Sequence, residues 1–358
     1  MNKRQVKTTH LPLPQFYNSI NAFNPEYRAN EMDLHRTAIE WKSKYGLTHV
    51  DSDLIRICLL IIDAQFSFCF PSGSLYVGGR SGRGAMDDNA RLSEFIYRNL
   101  RVITEVKCSL DTHNPFQIFF PIAHLCEDGS HPLPGTIISA DDYKRGKYQP
   151  NPAMAYQLRV GISWLKKQFI YYCEELEKSG KYQLIIWPYH VLLGSIGHTL
   201  AGVIDEARLF HSFVRGASNI PLLKGENPLT EHYSVFKPEV MTLFDGKPML
   251  NVQKDTKLME ALLRMDMLII AGQAKSHCVA WTINDLLCEI MTINPALAKK
   301  VYLLDDCSSS VVLPGGPDFT DEANAAFEKF RNVGMNIVRS TEPIEDWPNI
   351  DGFYKLLF

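Results

Sequence analysis

The chain has 358 residues, of which 46% are hydrophobic and 22% charged, as in an ordinary globular protein with a full core. Its formal net charge of -3 provides no basic surface that would indicate nucleic acid or an anionic membrane as a partner. No stretch approaches the roughly 20 apolar residues of a membrane-spanning helix. The eight cysteines show no paired spacing and the first residues lack an apolar signal segment. We therefore expect reduced thiols and a cytoplasmic protein.

Apolar residues at helical spacing alternate along the chain with short apolar, β-prone runs. In chain order this predicts a helix at 30–45, a strand at 56–62, a helix at 87–100, a strand at 106–110, a helix at 160–176, a strand at 183–186, helices at 200–214 and 258–265, a strand at 267–271, a helix at 278–290, a strand at 301–304, a helix at 321–332 and a strand at 336–338. The alternation predicts an α/β fold, with a doubly wound, mostly parallel sheet and helices on both faces.

We divide the chain into three parts. Residues 1–53 are polar and interrupted by prolines, which predicts an N-terminal extension, and residues 346–358 predict a C-terminal tail. Residues 54–345 carry the alternating pattern and predict one domain. Within it, residues 126–180 begin with a stretch rich in Pro, Gly and charge and indicate a helical insertion. Insertions with their own helix are more often peripheral than lids, so we favour packing on the outside.

Polar residues follow several predicted strands at the point where each strand ends. They are Asp63, Asp111 with His113, His190 after Trp187-Pro188, and Cys278. In open α/β sheets the ligand crevice lies outside the carboxyl ends of the strands. We therefore expect these side chains to converge on one site.

Cys278 follows a glycine-containing turn and lies where a helical pattern begins. Unpaired N–H groups and the positive end of a helix dipole favour thiolate, and the same N–H groups can hold an oxyanion. This pattern indicates a nucleophile, although a single cysteine is more often a small buried hydrophobic residue.

The other polar residues each allow two interpretations. Asp63 would take the thiol proton and return it to a leaving amine, or it would cap the next turn. Asp111, His113 and His190 offer ligands for a divalent metal such as zinc, iron or manganese, or they are loop residues without an ion. Lys224, before a glycine, is by residue type most often a surface charge.

The order of these motifs resembles that of nicotinamidases, which belong to the isochorismatase-like cysteine hydrolases. The motifs are Ile61-Ile62-Asp63-Ala64-Gln65, Asp111-Thr112-His113, Trp187-Pro188-Tyr189-His190, Lys224-Gly225-Glu226-Asn227-Pro228, His232-Tyr233-Ser234-Val235-Phe236, Gly272-Gln273-Ala274-Lys275-Ser276-His277-Cys278-Val279 and Asp305-Asp306-Cys307. The resemblance covers residues 54–125 and 181–341, and implies an isochorismatase-like fold to which the first 50 residues and the insertion are additions.

The resemblance also implies catalytic roles. Cys278 would be the nucleophile, Asp63 the general acid/base and Lys224 the third member of the triad. The backbone N–H groups of Ala274 and Cys278 would hold the oxyanion, and the Gln273–Ala274 bond would be cis. Attack on an amide would give a thioester, release ammonia, and end with hydrolysis by water.

In this family a metal binds the substrate's ring nitrogen, and Asp111, His113 and His190 match three of its ligands. The fourth ligand falls at about Gln117. An amide oxygen is a weaker donor than imidazole for zinc or iron, which favours a harder ion such as manganese or magnesium. His124 would substitute only if the loop after Pro121 folds back.

The resemblance places three aromatic residues around the substrate ring, namely Phe68, Trp187 and Tyr233. The run Gln65-Phe66-Ser67-Phe68 replaces the usual Gln-Asn-Asp-Phe. We expect the apolar Phe66 to narrow or reshape the pocket.

Three functions follow, in order of preference. The first is hydrolysis of nicotinamide to nicotinate and ammonia, as in NAD salvage. The second is hydrolysis of another small amide or ring compound, favoured by Gln117, Phe66 and the insertion. The third is a non-catalytic binding or scaffold protein, which has no need of Asp63, Lys224 and Cys278. We expect a small-molecule amide as partner, with neither nucleic acid nor membrane; a homo-oligomer is left open.

Overall fold

A six-stranded parallel sheet forms the centre of the protein in the computed structural model, which describes residues 10–180, 182–313 and 315–350. Numbered in chain order, its strands lie side by side as β10 (Asn336–Val338), β9 (Val301–Leu304), β8 (Met267–Gly272), β1 (Ile57–Ile62), β2 (Glu105–Asp111) and β7 (Leu222–Lys224). The chain leaves β1 for β2 on one side and later returns to β8 on the other. This change of direction opens a crevice at the carboxyl ends of the central strands.

Helices cover both faces of the sheet, because successive strand residues point to opposite sides. The odd-numbered residues of β1 lie in one apolar core and the even-numbered residues in the other. The first core includes residues of α1 (Glu31–Tyr45), α3 (Gly84–Arg98) and α7 (Gly202–Arg215), and the second includes residues of α8 (Thr256–Leu263), α9 (Ala280–Ile293) and α10 (Thr320–Asn332). The predicted doubly wound α/β fold is confirmed. None of the described helices is long and apolar enough to cross a membrane.

The prediction that residues 183–186 form a strand of the main sheet was wrong. Leu184–Ile185 (β6) instead pairs antiparallel with Ile137–Ile138 (β4) in a separate two-stranded sheet. The place beside β2 is taken by β7, which the sequence pattern did not predict. It has three residues at the sheet edge, and Leu223 is 53% exposed, so it carries no continuous apolar run.

The insertion has secondary structure of its own and contributes buried residues to the first apolar core. It contains short antiparallel strands, β3 (His124–Cys126) paired with β5 (Tyr148–Pro150), and the helices α4 (Ala140–Lys144), α5 (Pro152–Gln157) and α6 (Ile162–Ser179). Helix α6 is anchored by the Tyr171 hydroxyl 2.6 Å from Thr242 Oγ1 and by the Glu231 N–H, which donates to Tyr172 Oη at 3.1 Å. The domain boundaries stay predictions, and residues 1–9 and 351–358 lie outside the described residues.

His211 on α7 fixes the start of β2. Its Nε2–H donates to Ile103 O at 2.9 Å, and its Nδ1 accepts from Asn219 Nδ2 at 2.8 Å. The side chain of Asn219 also accepts from the Val106 N–H, at the second residue of β2. Burial lowers the pKa of His211 to about 4, so this imidazole stays neutral in the folded protein.

We expect acid to destabilise the fold through His211. The unfolded chain takes up this proton near pH 6.5, whereas the folded state does so near pH 4. The contribution of the neutral His211 to the free energy of unfolding is therefore complete above pH 6.5. It falls by about 1.4 kcal/mol per pH unit between pH 6.5 and pH 4. Denaturant unfolding between pH 7.5 and 5 measures the slope. In His211→Gln the slope of the unfolding free energy against pH should be smaller by the contribution of one imidazole. In His35→Gln, at an exposed position, the slope should be unchanged. An unchanged slope in His211→Gln would contradict this assignment.

Candidate active site

The predicted site residues converge at the carboxyl ends of four adjacent strands. Asp63 follows β1 directly, Asp111 ends β2, Lys224 ends β7, and Cys278 lies in the turn after β8. The register pairs Asp111 with Lys224 on neighbouring strands. Residues distant in sequence are therefore brought together by the order of the strands.

Lys224 is the centre of this cluster and is 4% exposed. Its Nζ lies 2.9 Å from Asp63 Oδ2 and 3.0 Å from Asp111 Oδ1. It also donates to the carbonyl of His232 at 2.8 Å and lies 3.7 Å from the Sγ of Cys278. An ammonium has three N–H donors, and here they go to Asp111 Oδ1, the His232 carbonyl and Cys278 Sγ, while Asp63 contributes an ion pair. The charge is thereby held next to the thiol.

Asp63 is held by its own backbone as well as by its partners. Its φ of 44° is unusual for a residue other than glycine, although Asp tolerates this region better than most. Ser109 Oγ donates to Asp63 Oδ1 at 2.6 Å and accepts from the Asp63 N–H at 3.1 Å. The second carboxylate oxygen is left for Lys224. These contacts fix the carboxylate beside Lys224 and Cys278.

The electrostatics favour a protonated thiol at rest. Burial raises the pKa of Cys278 well above its usual value, and the charge on Lys224 opposes this rise without reversing it. Burial also raises the pKa of Asp63, again against Lys224. Burial lowers the pKa of Lys224, but Asp111 and Asp63 more than reverse this effect and keep it charged. The charge on Lys224 lowers the pKa of Cys278, as expected. Burial raises this pKa by more, so the resting thiolate that we expected from the helix terminus is not favoured.

The nucleophile turn is built on Gly272 and a short irregular segment. Gly272 has a φ of 114°, and a Cβ there would lie 2.1 Å from the carbonyl oxygen of Ile62, so only glycine fits. The Gln273–Ala274 bond is cis, as the resemblance implies. Lys275–Val279 form one π-helical turn, and α9 begins only at Ala280. Cys278 therefore lies in a tight turn that leads into the helix.

Asp111, His113 and His190 form the one group of His, Cys, Asp and Glu in the described residues with the spacing of a metal site, their ligand atoms lying within 4.8 Å of one another. Each imidazole gives its Nδ1–H to a backbone carbonyl, His113 to Gly225 O at 3.0 Å and His190 to Pro188 O at 2.7 Å. The Nε2 atoms of both rings then face Asp111 Oδ2, at 2.8 and 3.9 Å. Carbonyl partners of this kind set the tautomer of metal-binding histidines.

The residues present fit a divalent cation. The Nε2 of His113 is buried, and apart from the ion-pair contact with Asp111 Oδ2 it has no hydrogen-bond partner among the described residues. Asp63, Asp111 and Lys224 together leave one uncompensated negative charge in a buried region, which a cation offsets. Gly225 packs directly against this group. A Cβ at that position would lie 2.5 Å from Asp111 Oδ1, so a larger residue would displace the carboxylate. Two imidazoles and a carboxylate suit zinc, iron or manganese.

Gln117 lies on the other side of His113 from this group. Its Nε2 donates to Gly225 O at 2.9 Å and lies 3.4 Å from His113 Nδ1, the ring nitrogen opposite the one that faces Asp111. The assignment of Gln117 as a fourth ligand stays a prediction: its Nε2 supports the Nδ1 side of His113, and its buried Oε1, the atom that would ligate, has no hydrogen-bond partner among the described residues. His124 does not substitute, because its two ring nitrogens contact the Tyr143 hydroxyl and Ile118 O.

A small cavity lies between the cysteine and the metal-binding group. Its walls include the three aromatic residues expected there, Phe68, Trp187 and Tyr233, with Trp187 Nε1 donating to the Tyr233 hydroxyl at 3.3 Å. The full set of lining residues is Phe68, Leu75, Val77, Asp111, Trp187, His190, Glu231, Tyr233, Gln273, Ala274, His277, Cys278 and Val311. Residues 126–180 take no part in this wall.

The expectation that Phe66 narrows the pocket was wrong. Its ring packs against Phe70 at 5.2 Å, and Phe66 is not among the described residues that line the cavity. It begins the short helix α2 (Phe66–Cys69), and Phe68 is the phenylalanine of this helix that lines the cavity.

Sequence reasoning missed three polar residues of the cavity wall, Glu231, Gln273 and His277. Glu231 is 5% exposed, and burial raises its pKa to about 7. His277 is 3% exposed and directly precedes Cys278. Gln273 and His277 lie inside a motif that carried the resemblance and Glu231 directly precedes another, but their inward orientation depends on tertiary packing that spacing does not reveal.

No protein-family profile and no curated protein sequence matches the chain. Solved structures do. A yeast nicotinamidase bound to the inhibitor nicotinaldehyde is 18% identical over 79% of this chain and 99% of that one, with a TM-score of 0.49. A nicotinamidase–pyrazinamidase from Acinetobacter baumanii is 17% identical over 80% and 96%, with a TM-score of 0.46. A Pyrococcus horikoshii pyrazinamidase in complex with zinc is 17% identical over 79% and 98%, with a TM-score of 0.40.

The chain is similar in fold to solved nicotinamidases. At these identities the similarity concerns the architecture, which the strand order above describes for this chain.

Proposed function

We propose that this protein is an isochorismatase-like cysteine hydrolase that converts a small aromatic carboxamide, in the first instance nicotinamide, to its carboxylic acid and ammonia. The contact of Lys224 with both Asp63 and Cys278 at the wall of an aromatic cavity carries this proposal. A thiol, a carboxylate and an ammonium at these distances are the groups that amide cleavage through a thioester requires.

The first half of the reaction forms the acyl-enzyme. Asp63 takes the proton from the Cys278 thiol as Sγ attacks the carbonyl carbon, because the thiol is protonated at rest. The carbonyl oxygen becomes an oxyanion that the backbone N–H groups of Ala274 and Cys278 receive. Asp63 then returns the proton to the amide nitrogen, the C–N bond breaks, and ammonia leaves.

The second half releases the acid. Asp63, again ionised beside Lys224, takes a proton from a water molecule as the oxygen of that water attacks the thioester carbonyl. The C–S bond breaks and Cys278 recovers its proton from Asp63. Throughout, Lys224 holds the carboxylate in place and offsets the charge that moves between Asp63 and Cys278.

The metal-binding group favours a substrate with a ring nitrogen. A zinc, iron or manganese ion held by Asp111, His113 and His190 would bind such a nitrogen and orient the ring. Phe68, Trp187 and Tyr233 enclose the ring and exclude water from the carbonyl. Nicotinamide satisfies both requirements.

A related amidohydrolase with another small amide substrate is the second candidate. The observation that favours it is the pair of polar residues in the cavity wall, Glu231 and His277, which a pyridine carboxamide bound at the metal-binding group leaves without a clear partner. A purely structural or scaffold protein is disfavoured, because a buried cluster of two carboxylates and a lysine is costly and seldom stabilising on its own.

Ammonia release by the purified protein separates these candidates. We expect release from nicotinamide, with loss after metal removal by a chelator and recovery when zinc, iron or manganese is returned. A panel of benzamide, short aliphatic amides and ring-substituted carboxamides serves as the comparison. Release from other amides but not from nicotinamide would support the second candidate, and no release from any amide would contradict an enzymatic function.

Gln117 offers a test of the metal-binding group. We expect Gln117→Leu to weaken zinc binding about tenfold, since residues that orient metal-binding histidines have effects of 10–100-fold. Titration calorimetry of the metal-stripped protein measures this affinity. Asn114→Ala, which removes a neighbouring side chain that donates to Glu226 O at 3.4 Å, is the matched control and should leave the affinity unchanged. Equal affinity in the wild type and Gln117→Leu would show that Gln117 does not position His113.

A further inference from the structure

Lys275 is a buried lysine that lies directly after Ala274, in the turn that carries the nucleophile. It is 8% exposed, which is unusual for a lysine unless its charge is paired. Its Nζ lies 2.8 Å from Asp305 Oδ1, 3.0 Å from Asn324 Oδ1 and 4.4 Å from the centre of the Phe327 ring. Lys275 is not among the described residues that line the cavity. Its ammonium therefore contacts the protein and not a substrate.

These contacts join the turn to two other elements of the fold. Asp305 directly follows β9, and Asn324 and Phe327 lie on α10. The backbone adds a third contact, because the Lys275 N–H donates to Ser309 O at 2.7 Å. A charge that is removed from water must keep its partners, so the ammonium cannot leave this place without a cost in free energy. Lys275 is thus anchored through both its backbone and its side chain.

The residue before Lys275 carries an N–H group that we assign to the oxyanion. The N–H groups on either side of it are already paired, that of Gln273 with Ile62 O at 2.7 Å and that of Lys275 with Ser309 O. The Ala274 N–H has no hydrogen-bond partner among the described residues, and Ala274 lines the cavity. A donor that stabilises a transition state must be in position before the reaction, because moving it during the reaction costs rate. The anchored neighbours of Ala274 meet this requirement.

We propose that Lys275 is a positioning residue for the oxyanion, whose contacts with Asp305 and Asn324 hold the Ala274 N–H where the negative charge develops. Without the ammonium, the turn keeps its backbone bond to Ser309 but loses its side-chain contacts with the end of β9 and with α10. The N–H is then directed less accurately, and an error of about 1 Å in such a group costs on the order of a hundredfold in rate. This inference rests on the proposed function and deepens it, because it assigns how the oxyanion donor is held.

Replacement of Lys275 by methionine tests this role, since methionine keeps an unbranched apolar side chain beside Phe327. We expect kcat for nicotinamide to fall about tenfold to a hundredfold, which is less than the roughly 10²–10³-fold loss when an oxyanion donor is removed. KM should change little, because Lys275 does not touch the substrate. Lys329→Met is the matched control: this exposed lysine of α10 donates to Asn284 Oδ1 at 3.1 Å, and its loss should leave kcat unchanged. An equal fall of kcat in both variants, or a change confined to KM, would overturn the proposal.

The partners of Lys275 provide a second test if Lys275→Met folds poorly. The side chains of Asp305 and Asn324 are partly exposed, so they can be shortened without opening the core. The double variant Asp305→Ala, Asn324→Ala removes both oxygens that hold the ammonium and should reproduce the fall in kcat. Asp305→Asn retains an oxygen acceptor at each position and should recover most of the activity. A double variant with the kcat of the wild type would overturn the proposal.

An aldehyde probe distinguishes failure of this inference from failure of the proposed function. Cys278 Sγ adds to the carbonyl carbon of pyridine-3-carboxaldehyde, the thiol proton passes to Asp63, and the aldehyde oxygen takes the negative charge that the Ala274 N–H receives. No amide bond has to break. By calorimetry we expect Lys275→Met to bind this aldehyde about tenfold more weakly than the wild type does. It should bind 3-methylpyridine, which has the ring without a carbonyl, with unchanged affinity.

The two readouts then have separate consequences. Weaker aldehyde binding in Lys275→Met supports the role of Lys275 even if no amide releases ammonia. Equal aldehyde affinity in Lys275→Met and the wild type overturns this role even if nicotinamide is hydrolysed. A wild type that forms no adduct with the aldehyde overturns it as well, because Cys278 then makes no oxyanion for Ala274 to receive.

Discussion

Replacement of Cys278 by alanine should reduce ammonia release by roughly a millionfold, as loss of the nucleophile does in other covalent hydrolases. Sγ lies 3.7 Å from Lys224 Nζ, and no other cysteine lies among the residues that line the cavity. Truncation to Ala removes one sulfur atom from a buried turn and leaves the Asp63–Lys224 ion pair intact. The fold and the binding of the substrate ring should therefore persist, and the loss should appear in kcat.

Cys288 is the matched control for this replacement. It lies ten residues further along the chain on α9 and is exposed, so Cys288→Ala should retain full activity. Rapid quenching of the wild type with substrate, followed by peptide mass spectrometry, should show an acyl group on Cys278 and none on Cys288. Activity in Cys278→Ala, or an acyl group on another residue, would contradict the assignment of the nucleophile.

The parts of the site that lie on long apolar strands could be predicted from sequence. β1 and β8 are continuous runs of fully buried residues, so their ends mark Asp63 and the Cys278 turn without knowledge of the fold. The alternation of such runs with amphipathic helices also determined the doubly wound sheet, because each strand must bury both of its faces.

The remaining parts depend on contacts that no local pattern encodes. β7 has three residues and one exposed leucine, and it becomes a strand because its backbone completes the edge of β2. Gln117 matched a ligand position in the order of motifs, yet the loop directs it to the Nδ1 side of His113.

Replacement of Lys224 by methionine should lower the free energy of unfolding by about 3–5 kcal/mol, because it leaves two buried carboxylates without their cation. Asp63 and Asp111 lie on either side of Lys224 Nζ, at 2.9 and 3.0 Å, and both are at least 97% buried. Without the ammonium these carboxylates repel each other in a region of low dielectric. Ammonia release should be lost as well, since nothing then holds Asp63 ionised beside Cys278. Denaturant unfolding at pH 7 and the ammonia assay measure the two effects.

The loss of stability in Lys224→Met should shrink as the pH falls. Burial already holds the pKa of Asp63 above its unfolded value and removal of the cation raises it further, so the penalty is complete above the raised pKa and is relieved by protonation below it. Lys144→Met is the matched control, because Lys144 pairs with Glu174 at 2.6 Å with its side chain 52% exposed. That replacement should cost at most about 1 kcal/mol at any pH.

A double variant separates the structural contribution of Lys224 from its catalytic one. Adding Asp63→Asn to Lys224→Met removes one of the two negative charges that repel each other and should restore part of the stability. It cannot restore ammonia release, because the group that moves the thiol proton is then absent. If Lys224→Met were as stable as the wild type at pH 7, Lys224 would not be the counter-charge of this cluster. Recovery of activity in the double variant would instead show that the thiol proton leaves by a route other than Asp63.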